Sequence, residues 1–143
     1  MFAAVAAPVH SPRHLLNAVV WTWLHLLQCN VSNQYKTPEE DMVTRAWRPI
    51  PSGRVSLEEA FCLRVCLIPI CLGVSCMYGR SVFLTSAGLT STMILYDEIG
   101  CAGHWFGKNL CNVFGYLTFE VGATKIMGGC ALSLEREGGL SLE

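Results

Sequence analysis

Charge is scarce in this sequence. Asp, Glu, Lys and Arg make up 15% of its 143 residues, against roughly 25% in soluble domains. No basic excess exists either. The net charge is −1, so nothing here would neutralise a phosphate backbone, and nucleic acid is not an expected partner. There is no CxxC pair and no Cys/His cluster at zinc-binding spacing. Cys62, Cys66, Cys71 and Cys76 are separated by three or four residues inside one apolar run. Such spacing suits small residues packed along a helix better than a disulfide framework. The N-terminal MFAAVAAPVHSPRHLL has no basic region before its apolar part, and prolines interrupt it, so a signal peptide is not expected from it. Internal repeats are absent. After Asp41 the only aspartate is Asp97.

What the chain has is apolar surface. Hydrophobic residues are 52%, and the charge concentrates in 36–64 and 135–143. Four helices are expected. The first, 15–32, is short for a membrane span and carries His25, Gln28 and Asn30. The second, 57–77, has Ser56 as a cap, Glu58 and Glu59 in its first turn, and Pro69 to kink it. The third, 81–96, is rich in Ser, Thr and Gly, as helices packed inside a bundle are. The fourth, 109–131, contains Glu120 and Lys125, whose spacing points them in different directions. An intramembrane charge is by default a functional candidate, and both are weighed for cavity-facing roles. His25 is expected to pack rather than to ligate. The tryptophans are expected near membrane interfaces. The fold expected is all-α, a multi-span helical membrane bundle; a soluble bundle of unusually apolar helices is the alternative.

If 57–77 and 81–96 both cross, the loops 33–56 and 97–108 share a side. Lys36, Arg45, Arg48, Arg54 and Lys108 then oppose Arg13 and Arg80, which puts both polar loops in the cytoplasm. The chain is expected to be integral to a membrane, in an organelle the sequence does not specify.

The most polar stretch is NQYKTPEEDMVTRAWRPIPSG, 33–53. Asn33, Thr37 and Asp41 recur every four residues, so a continuing helix would align them, with Gln34 alongside. Oxygen ligands so grouped suit Mg²⁺, and Arg45 and Arg48 suit a diphosphate. A metal-bound diphosphate with an apolar tail is the chemistry this suggests. A solvated, scattered-charge loop is the plain alternative.

The stretch also resembles the first Asp-rich motif of the UbiA superfamily of intramembrane prenyltransferases. The resemblance rests on Asn33, Gln34, Thr37 and Asp41, then Arg48-Pro49 and Ser52-Gly53, and looks most like the fungal branch. LYDEIGCAGHWFGKNLCNVFGYLTFEVGATK, 95–125, is similar to that branch too. The resemblance covers about 15–130. It implies part of a bundle of about nine membrane helices around a central cavity, with three or four of them here. It implies Mg²⁺ as cofactor and a prenyl diphosphate as partner, within a lipid bilayer. By position, Asn33, Gln34, Glu40 and Asp41 would lie on the metal side. Arg45, Arg48 and Lys108 would contact diphosphate, and Tyr96 would line the cavity near its mouth. His104 is more simply a solvated loop histidine than a diphosphate contact. No residue is assigned as catalytic.

The resemblance further implies transfer of an isoprenyl group to an acceptor, or cyclisation as in UbiA-type terpene cyclases. A non-catalytic membrane fragment is the third reading. Gln34 and Thr37 stand where the family pattern has acids, and no second Asp-rich motif follows. The chain is therefore expected to be an N-terminal half or truncated form, inactive alone. Residues 1–14 would be a remnant, 15–131 a partial transmembrane domain, and 132–143 a polar tail.

Overall fold

The computed structural model describes residues 12–98 and 105–138, with side chains given as far as residue 128. His104 lies outside the described residues. Five helices follow in order: α1 Pro12–Lys36, α2 Pro38–Thr44, α3 Leu57–Met77, α4 Arg80–Glu98 and α5 Trp105–Gly138. Among the described residues there is no strand, so the all-α expectation holds.

α3 matches its expected bounds. Ser56 Oγ accepts the Glu59 backbone N–H, and the Glu59 carboxylate accepts the Ser56 N–H. That reciprocal pair satisfies two of the helix's free donors. The helix runs through Pro69 without ending. The other three long helices outrun their expected ranges. α1 starts at Pro12, a residue preformed for a first helical turn, and continues to Lys36, whose charge suits the negative helix end. Its 25 residues span about 37 Å, longer than a hydrocarbon core of about 30 Å. α5 runs past residue 131 to Gly138. The segment 33–56 is less of a loop than expected. Asn33–Lys36 belong to α1, and α2 follows after a break at Thr37.

α1, α3, α4 and α5 form a ring in which each packs on the next, with a lesser diagonal contact between α1 and α4; α2 touches α1. Only Tyr78 and Gly79 separate α3 from α4. Gly79 has φ +101°, a conformation side-chain-bearing residues rarely adopt, and it reverses the chain there.

The ring's two ends differ. At the α3–α4 turn an apolar core gathers Ala18, Trp21, Val82, Ile126 and Met127, with Val74, Tyr78, Phe119 and Ala123 against it. Trp21 is thus in the core rather than at an interface, because its indole N–H finds Ser75 Oγ at 2.8 Å and its ring finds α5. Gly122 makes the close approach possible. A Cβ there would stand 2.8 Å and 2.9 Å from two Trp21 ring carbons and nearer still to a third. Trp23, Trp47 and Trp105 are exposed.

Toward the other end α1 buries a polar column: Trp21, His25, Gln28 and Ser32. His25 lies 2.9 Å from the Trp21 carbonyl and 2.6 Å from Ser86 Oγ, and Gln28 donates to Thr90 Oγ1 at 3.4 Å. Meanwhile Leu16, Val19, Trp23, Leu84, Ile94, Phe114 and Leu117 face outward. Polar side chains share the interior with the apolar core while many large apolar ones face outward, which suits helices whose surroundings cannot hydrogen-bond. One described helix, α3, is long and apolar enough to cross a membrane by length and composition. No disulfide links the described cysteines; Cys71 is buried, while Cys62, Cys66 and Cys76 are exposed.

Candidate functional site

α1 and α4 run side by side toward the polar end, and α5 runs back from it. Between them lies a cavity of about 310 Å³. Asn30 and Asn33 of α1, Tyr96 and Asp97 of α4 and Asn112 of α5 line its polar end. Leu26, Leu89, Met93 and Phe119 line the portion nearer the apolar core. Helix direction alone produces this gradient, since each helix contributes its residues in that order. Gly115 opens part of the wall, with no atom within 4 Å of where its Cβ would be.

A part-buried ionic cluster braces the polar end. Arg64 of α3 donates from Nε to Ser32 Oγ at 2.8 Å, and from Nη2 to Asp97 Oδ2 at 3.3 Å and Glu98 Oε1 at 3.0 Å. Ser32 also donates to Asp97. Lys36 bridges to Glu98 at 2.8 Å, and the Arg64 guanidinium lies 5.6 Å from the Tyr35 ring centre. Three helices are tied here by one guanidinium. Lys36 and then Arg64 hydrogen-bond the Glu98 anion, which holds its carboxyl below the usual carboxylate range. Ser32 precedes Asn33 and Asp97 follows Tyr96, so the cluster sets the residues that line the cavity. Sequence reasoning missed Arg64 and passed over Ser32. The detectable signal was an arginine inside an otherwise apolar span.

The motif segment is arranged differently. Thr37 N–H donates to the Asn33 carbonyl at 3.2 Å, and Asp41 N–H to the Thr37 carbonyl at 3.1 Å, so the helical column survives the break. Asp41 is 1% exposed. Arg48 Nη1 donates to both of its carboxylate oxygens, at 2.9 Å and 2.6 Å, and Arg45 approaches to 3.7 Å. Asn33 and Tyr96 are therefore brought together at the cavity, and Asp41 is brought to Arg45 and Arg48. Glu40 is in neither group. With Glu39 and Glu58 it lines an open groove on the other side of α1. Gln34 is half-buried and lines no described cavity. Lys108 is exposed in the first turn of α5. Glu120 is exposed, whereas Lys125 lines a separate groove between α4 and α5.

The described residues thus form an all-helical ring with a polar column buried along α1 and a cavity that is polar at one end and apolar at the other. The UbiA prenyltransferase family model matches residues 1–134, and the chain belongs to that family. It is 30% identical to a fumagillin beta-trans-bergamotene synthase from Aspergillus fumigatus, over 89% of this chain and 43% of that protein. It is 32% identical to a polyprenyl transferase from Hericium erinaceus, over 64% of this chain and 31% of that protein. A diterpene cyclase from the same fungus is 28% identical over 71% of this chain and 33% of its own length. The chain thus spans less than half the length of these relatives. No solved structure matches it.

UbiA prenyltransferases generally use Mg²⁺. Among the described residues no three His, Cys, Asp or Glu side chains converge as a metal site. The Asp41 oxygens are taken by Arg48. The described residues do not form a cage for a resident ion.

Proposed function

We propose that this chain forms one wall of a prenyl diphosphate site in a UbiA-type enzyme that transfers or cyclises an isoprenyl group. The cavity between α1, α4 and α5 carries the reading. Its polar end offers Asn30, Asn33 and Asn112 amides and the Tyr96 hydroxyl to a diphosphate, and its apolar end offers Leu26, Leu89, Met93 and Phe119 to an isoprenyl tail. Arg45 and Arg48 lie beyond Asn33 along the same column and supply positive charge for the leaving diphosphate. Lys108 opens α5 at the same end of the ring. Mg²⁺ belongs to the substrate in this reading, entering as the counter-ion of the diphosphate, with Asn33 and Asp41 as the protein groups on that side, while Gln34 and Glu40, which face elsewhere, drop out of the set. The apolar end keeps water from an allylic cation. In this reading the polar loops face the cytoplasm, in keeping with the positive-inside rule.

Cyclisation is the second reading. Two of the similar proteins named above are a beta-trans-bergamotene synthase and a diterpene cyclase by their names. Incubating the enzyme with farnesyl diphosphate and no acceptor separates the two, since only cyclisation then yields a cyclic hydrocarbon.

The site itself is tested by binding. In lipid nanodiscs the 143-residue chain should bind farnesyl diphosphate, and Gly115→Trp should weaken that by about tenfold or more as the indole fills the open wall. Gly115→Ala should change little. Equal binding by wild type and a folded Gly115→Trp protein would remove the cavity from the reading.

A further inference from the structure

Lys125 is a charge on a long helix that the cavity does not use. It lines a second hollow of about 310 Å³, between α4 and α5, which shares no residue with the cavity. Helix spacing builds this groove. Ser81, Leu84 and Gly88 fall on one face of α4, and Phe114, Leu117, Val121 and Lys125 on one face of α5. The helices run in opposite directions and pass closest at Gly88, where a Cβ would stand 3.9 Å from Thr118 Cγ2. Seven residues from that contact, toward the α3–α4 turn, Ser81 and Lys125 come level.

That end of the groove is polar and positive. Among the described residues no hydrogen bond or ion pair holds the Lys125 ammonium or the Ser81 hydroxyl, and no acid lines the groove. α4 begins there with Arg80, and the first-turn amides of a helix lack intrahelical acceptors and favour an anion. The rest of the groove is apolar. The Thr85 and Thr118 hydroxyls donate back to their own helices, to the Ser81 and Phe114 carbonyls, each at 2.9 Å. Leu84, Phe114, Leu117 and Val121 are exposed, so in a membrane they meet acyl chains. Phe114 and Lys125 are 11 residues apart, about 16 Å along α5, or half of a hydrocarbon core of about 30 Å. The groove therefore has the depth of one leaflet. Lys108, near the cavity's polar end, is 17 residues or about 26 Å from Lys125, which puts Lys125 in the other leaflet.

We propose that this groove binds an anionic phospholipid from the leaflet opposite the cavity's polar end. The phosphate meets Lys125 and Ser81, and one acyl chain lies along Leu84, Val121, Leu117 and Phe114. Basic pockets between membrane helices take lipid head groups in this way. An apolar partner helix would instead leave Lys125 facing hydrocarbon with no counter-charge.

Native mass spectrometry of the 143-residue chain in detergent, titrated with dioleoyl phosphatidylglycerol or dioleoyl phosphatidylcholine, tests this. Wild type should hold the anionic lipid about fivefold more tightly. Lys125→Gln should bring the two lipids close to equal, and Lys125→Arg should keep the preference. Val121→Trp keeps the charge but fills the groove, and should weaken phosphatidylglycerol by about fivefold or more. Arg54→Gln removes an exposed charge from the connector and should change nothing. Glycerol 1-phosphate, a head group without a tail, should not compete. Where Lys125→Gln yields no folded protein, Lys125→Met makes the same test. Equal retention of both lipids by wild type overturns the proposal, as does a preference that survives loss of the Lys125 charge. Competition by glycerol 1-phosphate would make this a free-phosphate site and overturn the lipid, and an equal loss in Arg54→Gln would reduce the effect to net charge. None of these results depends on farnesyl diphosphate binding in the cavity.

Discussion

Arginine–carboxylate pairs hold both the helix ring and the connector 37–56, but across very different stretches of chain. Arg64 reaches Ser32, Asp97 and Glu98, which lie 32 to 34 residues away. Arg48 reaches Asp41, seven residues away. The first pair closes only when three helices are already in place. The second closes within one short segment. The ring's pair is therefore long-range and the connector's is local.

The largest effect expected from breaking this contrast is at Arg64. Arg64→Leu leaves Asp97 buried with its carboxylate unpaired and should cost about 3 kcal/mol, read as the shift of the unfolding midpoint in mixed micelles. Combined with Asp41→Asn, the two losses should add within about 0.5 kcal/mol if ring and connector are independent. A larger coupling would break the comparison. Next is Gly122→Ala. Its methyl group would overlap the Trp21 ring, and a loss of about 1–3 kcal/mol is expected, partly restored by Trp21→Phe, which gives the ring less reach. No loss would show that α1 and α5 can move apart without penalty. The smallest effect concerns pH. The Glu98 carboxyl is held low by Lys36 and Arg64. Its stabilising contribution is complete above the unfolded value of about 4.3 and disappears as pH falls through the lower folded one. Lys36→Met should bring that acid-side loss to a higher pH, followed by circular dichroism of the reconstituted chain.

Some of this was legible in the residues alone. α3 was readable at both ends because Ser56 and Glu59 form a capping pair visible in sequence, and its apolar run stops at the turn. The family motif was readable through Asn33, Asp41, Arg48-Pro49 and Ser52-Gly53, and so was the pairing of acids with arginines. Their mutual bond was not, since a sequence pattern gives residue types and spacing and not the bonds among them. Trp21 was misplaced because aromatic residues near a helix end suit either an interface or a core. Only Ser75 and Gly122, 54 and 101 positions away, decide it. Arg64 was passed over for a similar reason: nothing in its neighbourhood on α3 names Asp97.

The two-residue turn at Gly79 has a consequence for how the protein is made. α3 is strongly apolar, whereas α4 is loaded with Ser and Thr and would partition poorly by itself. With only Tyr78 and Gly79 between them, the helices have no slack to enter the bilayer separately. The two are therefore expected to enter as one hairpin, with the α4 hydroxyls of Ser86 and Thr90 available to His25 and Gln28 of the already synthesised α1. Lengthening the link at Gly79 should therefore show first as a defect in insertion and only later as one in binding.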